Sequence, residues 1–393
     1  MTKLPKEAQI VLDELKNNHY EAYLVGGFVR DLLLNRKTHD IDCATNALPE
    51  QIESVFKQYK QSHIGKEHGT IGVKINNYWI EITTYRVDYG TYDHRRPKSV
   101  MFTPSIEEDV KRRDFTMNAL AISANLEIID YVNGQEDIKS KLIRCVGNPE
   151  VRFYEDSLRI LRAIRFACQL DFKIDELSLE AMHKHAYLLN ALAVERIYQE
   201  FKLILEAERI SKYLIKTKDI ISIFLPEIMD IDKHDFDKLD QCDTVLKRFC
   251  LFFIHKTGES IRIRSTALKM PKKMMNECID FLACFNHNFT IQTIDIKRMM
   301  QSYSNEIMLE AMEMQKLVCP DRYNKESHHL LQKLIKENVV ISIKDLAING
   351  HDLMDINIHG KAIQNTLNKC LEAVMLNKVD NTREALLTWV ALT

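Results

Sequence analysis

Glycine and proline are scarce, 11 and 8 among 393 residues. Turn-rich β folds consume both, so a sandwich or barrel is a poor fit and a helical bias is expected. No CxxC pair occurs among the nine cysteines, Cys43, Cys145, Cys168, Cys242, Cys250, Cys278, Cys284, Cys319 and Cys370. An odd, scattered set argues against a disulfide framework or a structural zinc site and fits reduced thiols. No apolar run is long enough to span a bilayer, and Met1 to Lys16 is mixed and charged. The expectation is a soluble cytoplasmic chain with no membrane partner. Nor does one sign of charge dominate: 54 Lys and Arg face 56 Asp and Glu, a net charge of −2. Bulk basicity therefore does not announce a nucleic-acid partner, and any phosphates must meet local basic groups. Such groups stand at Arg95, Arg96 and Lys98, at Lys111, Arg112 and Arg113, and at Arg159, Arg162 and Arg165.

What is present is ample apolar material, 46% of residues. The length predicts two to four packed units. Residues 5–18 read as an amphipathic helix. Ala22 to Val25 reads as a short strand running into Gly26-Gly27, then a helix over Phe28 to Leu34. A short strand is expected over His39 to Ala44 and a helix from Pro49. Residues 70–75 and 78–87 alternate as two strands around an Asn76-Asn77 turn, with Trp79, Glu81 and Thr83 on one face. Residues 88–112 lack periodicity and read as a long mobile loop. Strand signals return at 119–123 and 127–132, and from about residue 137 the pattern is helical. The fold class is thus α+β: a small N-terminal mixed sheet followed by an all-α remainder.

Two acids, Asp40 and Asp42, are one residue apart. On a strand both carboxylates share a face and repel unless a cation lies between them. Magnesium suits such a pair, because it takes one or two carboxylates plus substrate phosphates. Glu81 offers a third carboxylate if its strand packs alongside; three such groups hold two metals about 4 Å apart. Gly26-Gly27 joins a strand to a helix, where backbone N–H groups can approach a phosphate, and Arg30 follows one turn later. There is no GxxxxGK[ST] loop. Taken singly, these pieces are equally solvated loop acids and a tight turn with a surface arginine.

Together, Val25-Gly26-Gly27-Phe28-Val29-Arg30-Asp31 and Asp40-Ile41-Asp42 resemble the signature of the polymerase β-like nucleotidyltransferases, in the form of the bacterial class II CCA-adding enzymes and poly(A) polymerases. Glu155-Asp156-Ser157-Leu158-Arg159 resembles that family's EDxxR motif, whose Asp and Arg read the incoming base. The chemistry is sound. An Asp accepts from the exocyclic amine of cytosine or adenine while an Arg donates to the ring nitrogen beside it. Uracil and guanine mismatch both groups, at about 1–3 kcal/mol each. Residues 155–170 are expected as one helix with Ile160, Leu161, Ile164 and Cys168 on one side and Asp156, Arg159, Arg162 and Arg165 around the other. The bland alternative is a solvated face with an Asp–Arg pair three apart.

The resemblance extends further. Lys111-Arg112-Arg113-Asp114-Phe115-Thr116-Met117-Asn118-Ala119 is similar to the RRDFxxNA segment, implying that Arg113 contacts nucleotide and Asp114 orders a domain junction. Gly134 to Ile138 and Arg144 to Pro149 look like the hinge between head and neck, and Glu195 to Phe201 like a structural neck motif. Asp93-His94-Arg95-Arg96-Pro97 resembles the loop that helps CCA-adding members switch to ATP. Ala347 to Lys361 resembles the tail that grips the acceptor and TΨC arm of tRNA. The resemblance implies a head at 1–138, a neck at 139–213, a body at 214–310 and a tail at 311–393, in a monomer or homodimer. It implies catalytic and metal-holding Asp40 and Asp42 with catalytic Glu81 and Mg2+, and CTP and ATP bound by Gly27, Arg30, Arg113, Asp156, Arg159, Arg162 and Arg165. A poly(A) polymerase, or an RNA-binding protein with a decayed head, remains open at this point.

Overall fold

The computed structural model describes residues 4–38, 40–91 and 97–393. His39 and the Asp93 to Arg96 part of the switch-loop segment lie outside the described residues. Helix α1 (Lys6–Asn17) buries Ala8, Val11, Leu12 and Leu15, one helical stripe. There follow β1 (Ala22–Val25), α2 (Gly27–Leu33), β2 (Ile41–Thr45), α3 (Pro49–Val55), β3 (Lys60–Ser62), β4 (Thr70–Ile75) and β5 (Tyr78–Thr84). The described residues then give β6 (Arg86–Thr91), β7 (Pro97–Phe102), α4 (Ile106–Lys111), β8 (Leu120–Ile122) and β9 (Ile128–Asp130).

Seven of these strands form one mixed sheet in the order β3-β4-β5-β2-β1-β8-β9. β2 and β5 run parallel, and the other neighbours are antiparallel. β4 and β5 make the expected hairpin, with Asn76 in the left-handed region at φ 53°. Ile71, Val73, Ile75, Ile80 and Ile82 point into the core while Trp79 and Glu81 are exposed, the two-residue period of a half-buried pair. β2 is interior to the sheet, with β1 on one side and β5 on the other, so whatever it carries is held from both flanks.

The expected loop over 88–112 is not a loop. Its described residues hold most of an antiparallel pair, β6 with β7, in which Arg86 faces Phe102 and Val87 faces Met101. α4 follows, its first turn carrying Glu107, Glu108 and Asp109 and its end capped by Ser105 Oγ accepting from Glu108 N at 3.4 Å. The charges that broke the alternation do not break a ladder made by backbone groups, and acids at a helix N-terminus favour the helix.

The helical stretch contains α5 (Gly134–Lys139), α6 (Pro149–Glu155), α7 (Leu158–Leu170), α8 (Glu176–His185), a 3₁₀ turn over Ala186–Ala191 and α9 (Val194–Leu205). It is not purely helical: β10 (Leu142–Ile143) and β11 (Lys173–Ile174) pair in parallel across α6 and α7. The chain divides into two compact units, Met1–Ile231 and Asp232–Thr393. The second is all helical; Leu353, Leu367, Cys370 and Leu386 belong to a core cluster near its end, and Phe249, Phe253, Phe281 and Phe285 are also fully buried. Its Gly350–Met354 helix is capped by Asn349, whose Oδ1 accepts from His351 N at 2.8 Å, which makes His351 a first-turn residue. All nine cysteines are free thiols. Among the described residues no helix is long and apolar enough to cross a membrane.

Candidate active site

β1 passes into α2 through Gly26, which sits at φ +73°, where an L side chain is strained. A β-carbon there would stand 3.3 Å from Arg113 Nη1 and 3.5 Å from Asp42 Oδ2. One bare backbone position thus lies against both the acid of β2 and a basic side chain. Val25 pairs with Asp42 across β1–β2, and Asp42 pairs with Glu81 across β2–β5. In a parallel ladder aligned residues share a face, so Glu81 stands beside Asp42. Asp40 is exposed and lies just before β2 rather than within it, since β2 begins at Ile41. Burial, then the neighbouring Glu81 carboxylate, push the Asp42 carboxyl up to about 6; Arg113 opposes this and Asp40 adds to it.

These residues open onto a cleft of about 490 Å³ walled by arginines. Each has a carboxylate brace. Arg30 donates through Nε and Nη2 to Asp31 at 2.9 Å, and through Nη1 to Asn118 Oδ1 at 2.8 Å. Arg112 and Arg113 both reach buried Asp109, at 2.7 and 3.0 Å. Arg159 donates to Glu155 Oε2 and to the carbonyls of Arg152 and Arg112, each at 3.2 Å. Arg162 donates twice to Asp114 Oδ2, at 2.8 and 2.6 Å. Arg165 Nε lies 3.1 Å from Glu200 Oε2, without hydrogen-bond alignment. Three of the guanidiniums stand over the Phe166 ring, Arg165 at 4.5 Å, Arg30 at 5.0 Å and Arg162 at 5.4 Å. A wall of positive charge so fixed is suited to a polyphosphate, which needs several donors already in place.

Asp156 departs from the expected single helix over 155–170. α6 ends at Glu155, and Asp156 adopts φ −143°, ψ 97°, extended geometry, before α7 starts. Ser157 is buried at this corner, its Oγ donating to Leu188 O at 3.4 Å. Asp156 Oδ1 accepts from Leu158 N at 3.1 Å. Arg159 pairs with Glu155 rather than with Asp156. Burial raises the Asp156 carboxyl, with Arg159 the largest opposing influence.

Of the site residues expected from sequence, Gly27, Arg30, Asp40, Asp42, Arg113, Asp156, Arg159, Arg162 and Arg165 all line this cleft. Glu81 does not line it, although its carboxylate acts on Asp42. Among the described residues no group of three or more His, Cys, Asp and Glu side chains is placed to hold a metal unaided. The sequence reading named Arg112 only within a basic group, and missed Asn118 and Phe166 as lining and Asp109 and Glu200 behind it. Asn118 belonged to a segment already singled out. Phe166 falls on the arginine side of the 155–170 stretch, four residues after Arg162 and opposite the Ile160, Leu161, Ile164 and Cys168 stripe, and that placement was the signal that could have found it.

Three family models match: the poly A polymerase head domain over residues 22–144, the probable RNA and SrmB-binding site of polymerase A over 171–231, and a putative tRNA nucleotidyltransferase domain 2 over 247–390. The CCA-adding enzyme of Staphylococcus saprophyticus is 34% identical over 98% of this chain and 97% of its own. That of Enterococcus faecalis is 34% identical over 99% and 97%. The crystal structure of the Bacillus stearothermophilus CCA-adding enzyme in complex with CTP superposes with a TM-score of 0.82 at 29% identity, covering 98% of this chain and 96% of that one. With identity at this level along nearly its whole length, the chain belongs to the CCA-adding enzyme family.

Proposed function

We propose that this protein adds C, C and A in turn to the 3′ end of tRNA, using CTP and ATP and releasing pyrophosphate. The observation that carries the reading is the single cleft that joins Asp40 and Asp42 at one place to Asp156 and Arg159 at another, with braced arginines between. The first pair suits the reacting phosphate, the second the base. The tRNA 3′-hydroxyl attacks the α-phosphorus in line, and the bond to the leaving pyrophosphate breaks. Gly27 N–H, Arg30, Arg113 and the α7 arginines hold the triphosphate, and catalysis is chiefly positioning and charge neutralisation.

Nucleotidyl transfer of this class uses a divalent metal, and we assign Mg2+ to Asp40 and Asp42, with Glu81 in support. The donors fit: they are all hard oxygens, and after burial, which raises the Asp42 carboxyl most, the Glu81 and Asp40 carboxylates raise it further, as neighbouring acids without a cation should. Mg2+ is held by one or two carboxylates plus phosphates rather than a complete protein cage. When bound, it neutralises phosphate charge and lowers the pKa of the attacking hydroxyl. Asp42 must be ionised for this role, and Glu81 reinforces its field.

Asp156 accepts the amine of cytosine or adenine, and Arg159, held by Glu155, donates to the ring nitrogen. We read residues 1–138 as head, 139–213 as neck, 214–310 as body and 311–393 as a tail for the acceptor and TΨC arm. We also read the protein as cytoplasmic and as a monomer or homodimer. The segment at 93–97 supports the step to ATP. The match to a poly(A) polymerase head keeps that rival in view. Purified protein, a tRNA ending at position 73 and each NTP in turn decide it. Addition of C, C, then A, and then arrest is expected; tailing with ATP alone and indifference to CTP would establish the rival, and no Mg2+-dependent pyrophosphate release would leave a decayed head.

A further inference from the structure

Two exposed aromatic rings flank the Asp156 corner and take no part in the site described so far. Tyr154, in the last turn of α6, is 52% exposed, and Tyr187, in the 3₁₀ turn after α8, is 60% exposed. Between them lies His185, its ring centroid 6.4 Å from each. Tyr154 meets the imidazole at 72° and Tyr187 at 34°. Both ring nitrogens of His185 are covered and have no hydrogen-bond partner, so the imidazole acts here as an aromatic spacer. Two distant stretches of sequence thereby present one aromatic surface.

That surface is tied to the cleft. Tyr154 stands two residues before Asp156, and the Ser157 Oγ to Leu188 O hydrogen bond fastens the Tyr187 turn to the same corner. Lys184 Nζ, beside His185, is 2.7 Å from Glu150 Oε1, which locks α8 to α6. Arg196, exposed on α9, is close enough to act on the Asp156 carboxyl. The occupant must therefore tolerate cations and acids at its border and still gain from contact with exposed aromatic rings. An unpaired nucleobase does so; stacking on tyrosine is worth about 1–3 kcal/mol per base and accepts any base. Such tolerance matters where the strand end changes with every nucleotide added.

We propose that Tyr154, His185 and Tyr187 form a stacking platform for an unpaired base of the RNA strand whose 3′ end enters the cleft. The proposal rests on the polymerisation reading above and gives the primer, rather than the incoming nucleotide, a place on the surface. Stacking belongs to the tyrosine rings; the phenolic hydroxyls are dispensable.

The test is C addition to a tRNA ending at position 73 by the full chain and by Tyr154→Leu, Tyr187→Leu and the matching Phe variants. Each Leu variant should raise the KM for tRNA about tenfold while leaving the KM for CTP unchanged; the Phe variants should match the parent. In the parent, 4-thiouridine at the RNA 3′ end should crosslink to Tyr154 or to the 185–187 turn on irradiation, rather than to α7, a readout that does not depend on any variant folding. Leu variants with the parent's KM for tRNA overturn the platform, as does a crosslink elsewhere. An equal loss of affinity for a blunt RNA hairpin with no overhang also overturns it, since the contact would then be to duplex. A parent that adds no C at all defeats the polymerisation reading instead, and the crosslink still judges the platform.

Discussion

Asp42 pays for its position. Its carboxyl titrates at about 6 in the folded protein, against about 3.9 in an unfolded chain. The folded state therefore holds this proton more tightly, and ionising the group destabilises the fold as pH rises from about 4 to 6. Above that window the penalty is about 2–3 kcal/mol as an upper bound. Asp42→Asn should accordingly melt higher than the parent in EDTA at pH 8, with the gap closing near pH 4, while C addition falls at least a hundredfold. A variant that melts lower at pH 8 would show that the acid cluster is not strained. Asp156 makes a second prediction of the same scale. With Oδ1 engaged by Leu158 N, Asp156→Asn presents an amide donor where an acceptor stood. UTP and GTP should then gain on CTP by about 10- to 100-fold, seen as misincorporation in competition assays; unchanged selectivity would move base reading elsewhere.

At the level of elements, one buried carboxylate, Asp114, ties the segment after α4 to Arg162 of α7. Burial pushes the Asp114 carboxyl up, but the charge and hydrogen bonds of Arg162 outweigh it and hold it down at about 2. Because the folded value lies below the unfolded one, the stabilisation, about 2 kcal/mol, is present above pH 4 and is lost as pH falls toward 2. Asp114→Asn should lose stability in urea at pH 7 and show little difference from the parent near pH 2; a constant gap at both would rule out the ion pair as the cause. Gly134 is another fixed point, since a β-carbon there would come 2.2 Å from Thr116 O. Gly134→Ala should cost about 1–3 kcal/mol through overpacking, visible as a lower melting temperature.

Elements also show what was legible. The β1–Gly26-Gly27–α2 turn and the Asn76-Asn77 hairpin announced themselves, because glycine conformation and two-residue alternation are local properties. The break at Asp156 did not. Apolar spacing continues through it, and what ends α6 is a tertiary event, the burial of Ser157 against Leu188. β6 and β7 were hidden for the opposite reason: their pairing is carried by backbone groups beneath side chains that read as loop. Glu200 was visible as an acid on an amphipathic helix, yet only the fold brings it to Arg165. Sequence thus named most of the groups that touch the cleft, but of those that hold them still it did not reach Asp109 or the pairing of Glu200.

For the whole molecule, net charge is −2 and yet a polyanion must be bound. Long-range attraction cannot supply this, so tRNA affinity must come from clustered contacts that displace counterions, and it should fall steeply with added salt. Among the described residues, those that line the cleft all lie between Gly26 and Phe166, inside the Met1–Ile231 unit. The putative tRNA nucleotidyltransferase domain matches at 247–390, within the helical Asp232–Thr393 unit. Ending the chain after Ile231 should therefore leave CTP affinity within a few-fold of the parent, measured by calorimetry, because the arginine braces Asp31, Asp109, Asp114, Glu155 and Glu200 all remain. The KM for tRNA should rise more than tenfold, and the slope of log affinity against log salt should flatten by roughly 0.9 for each phosphate contact removed. If the shortened chain keeps a native circular dichroism spectrum but no longer binds CTP, the nucleotide site is not confined to the first unit.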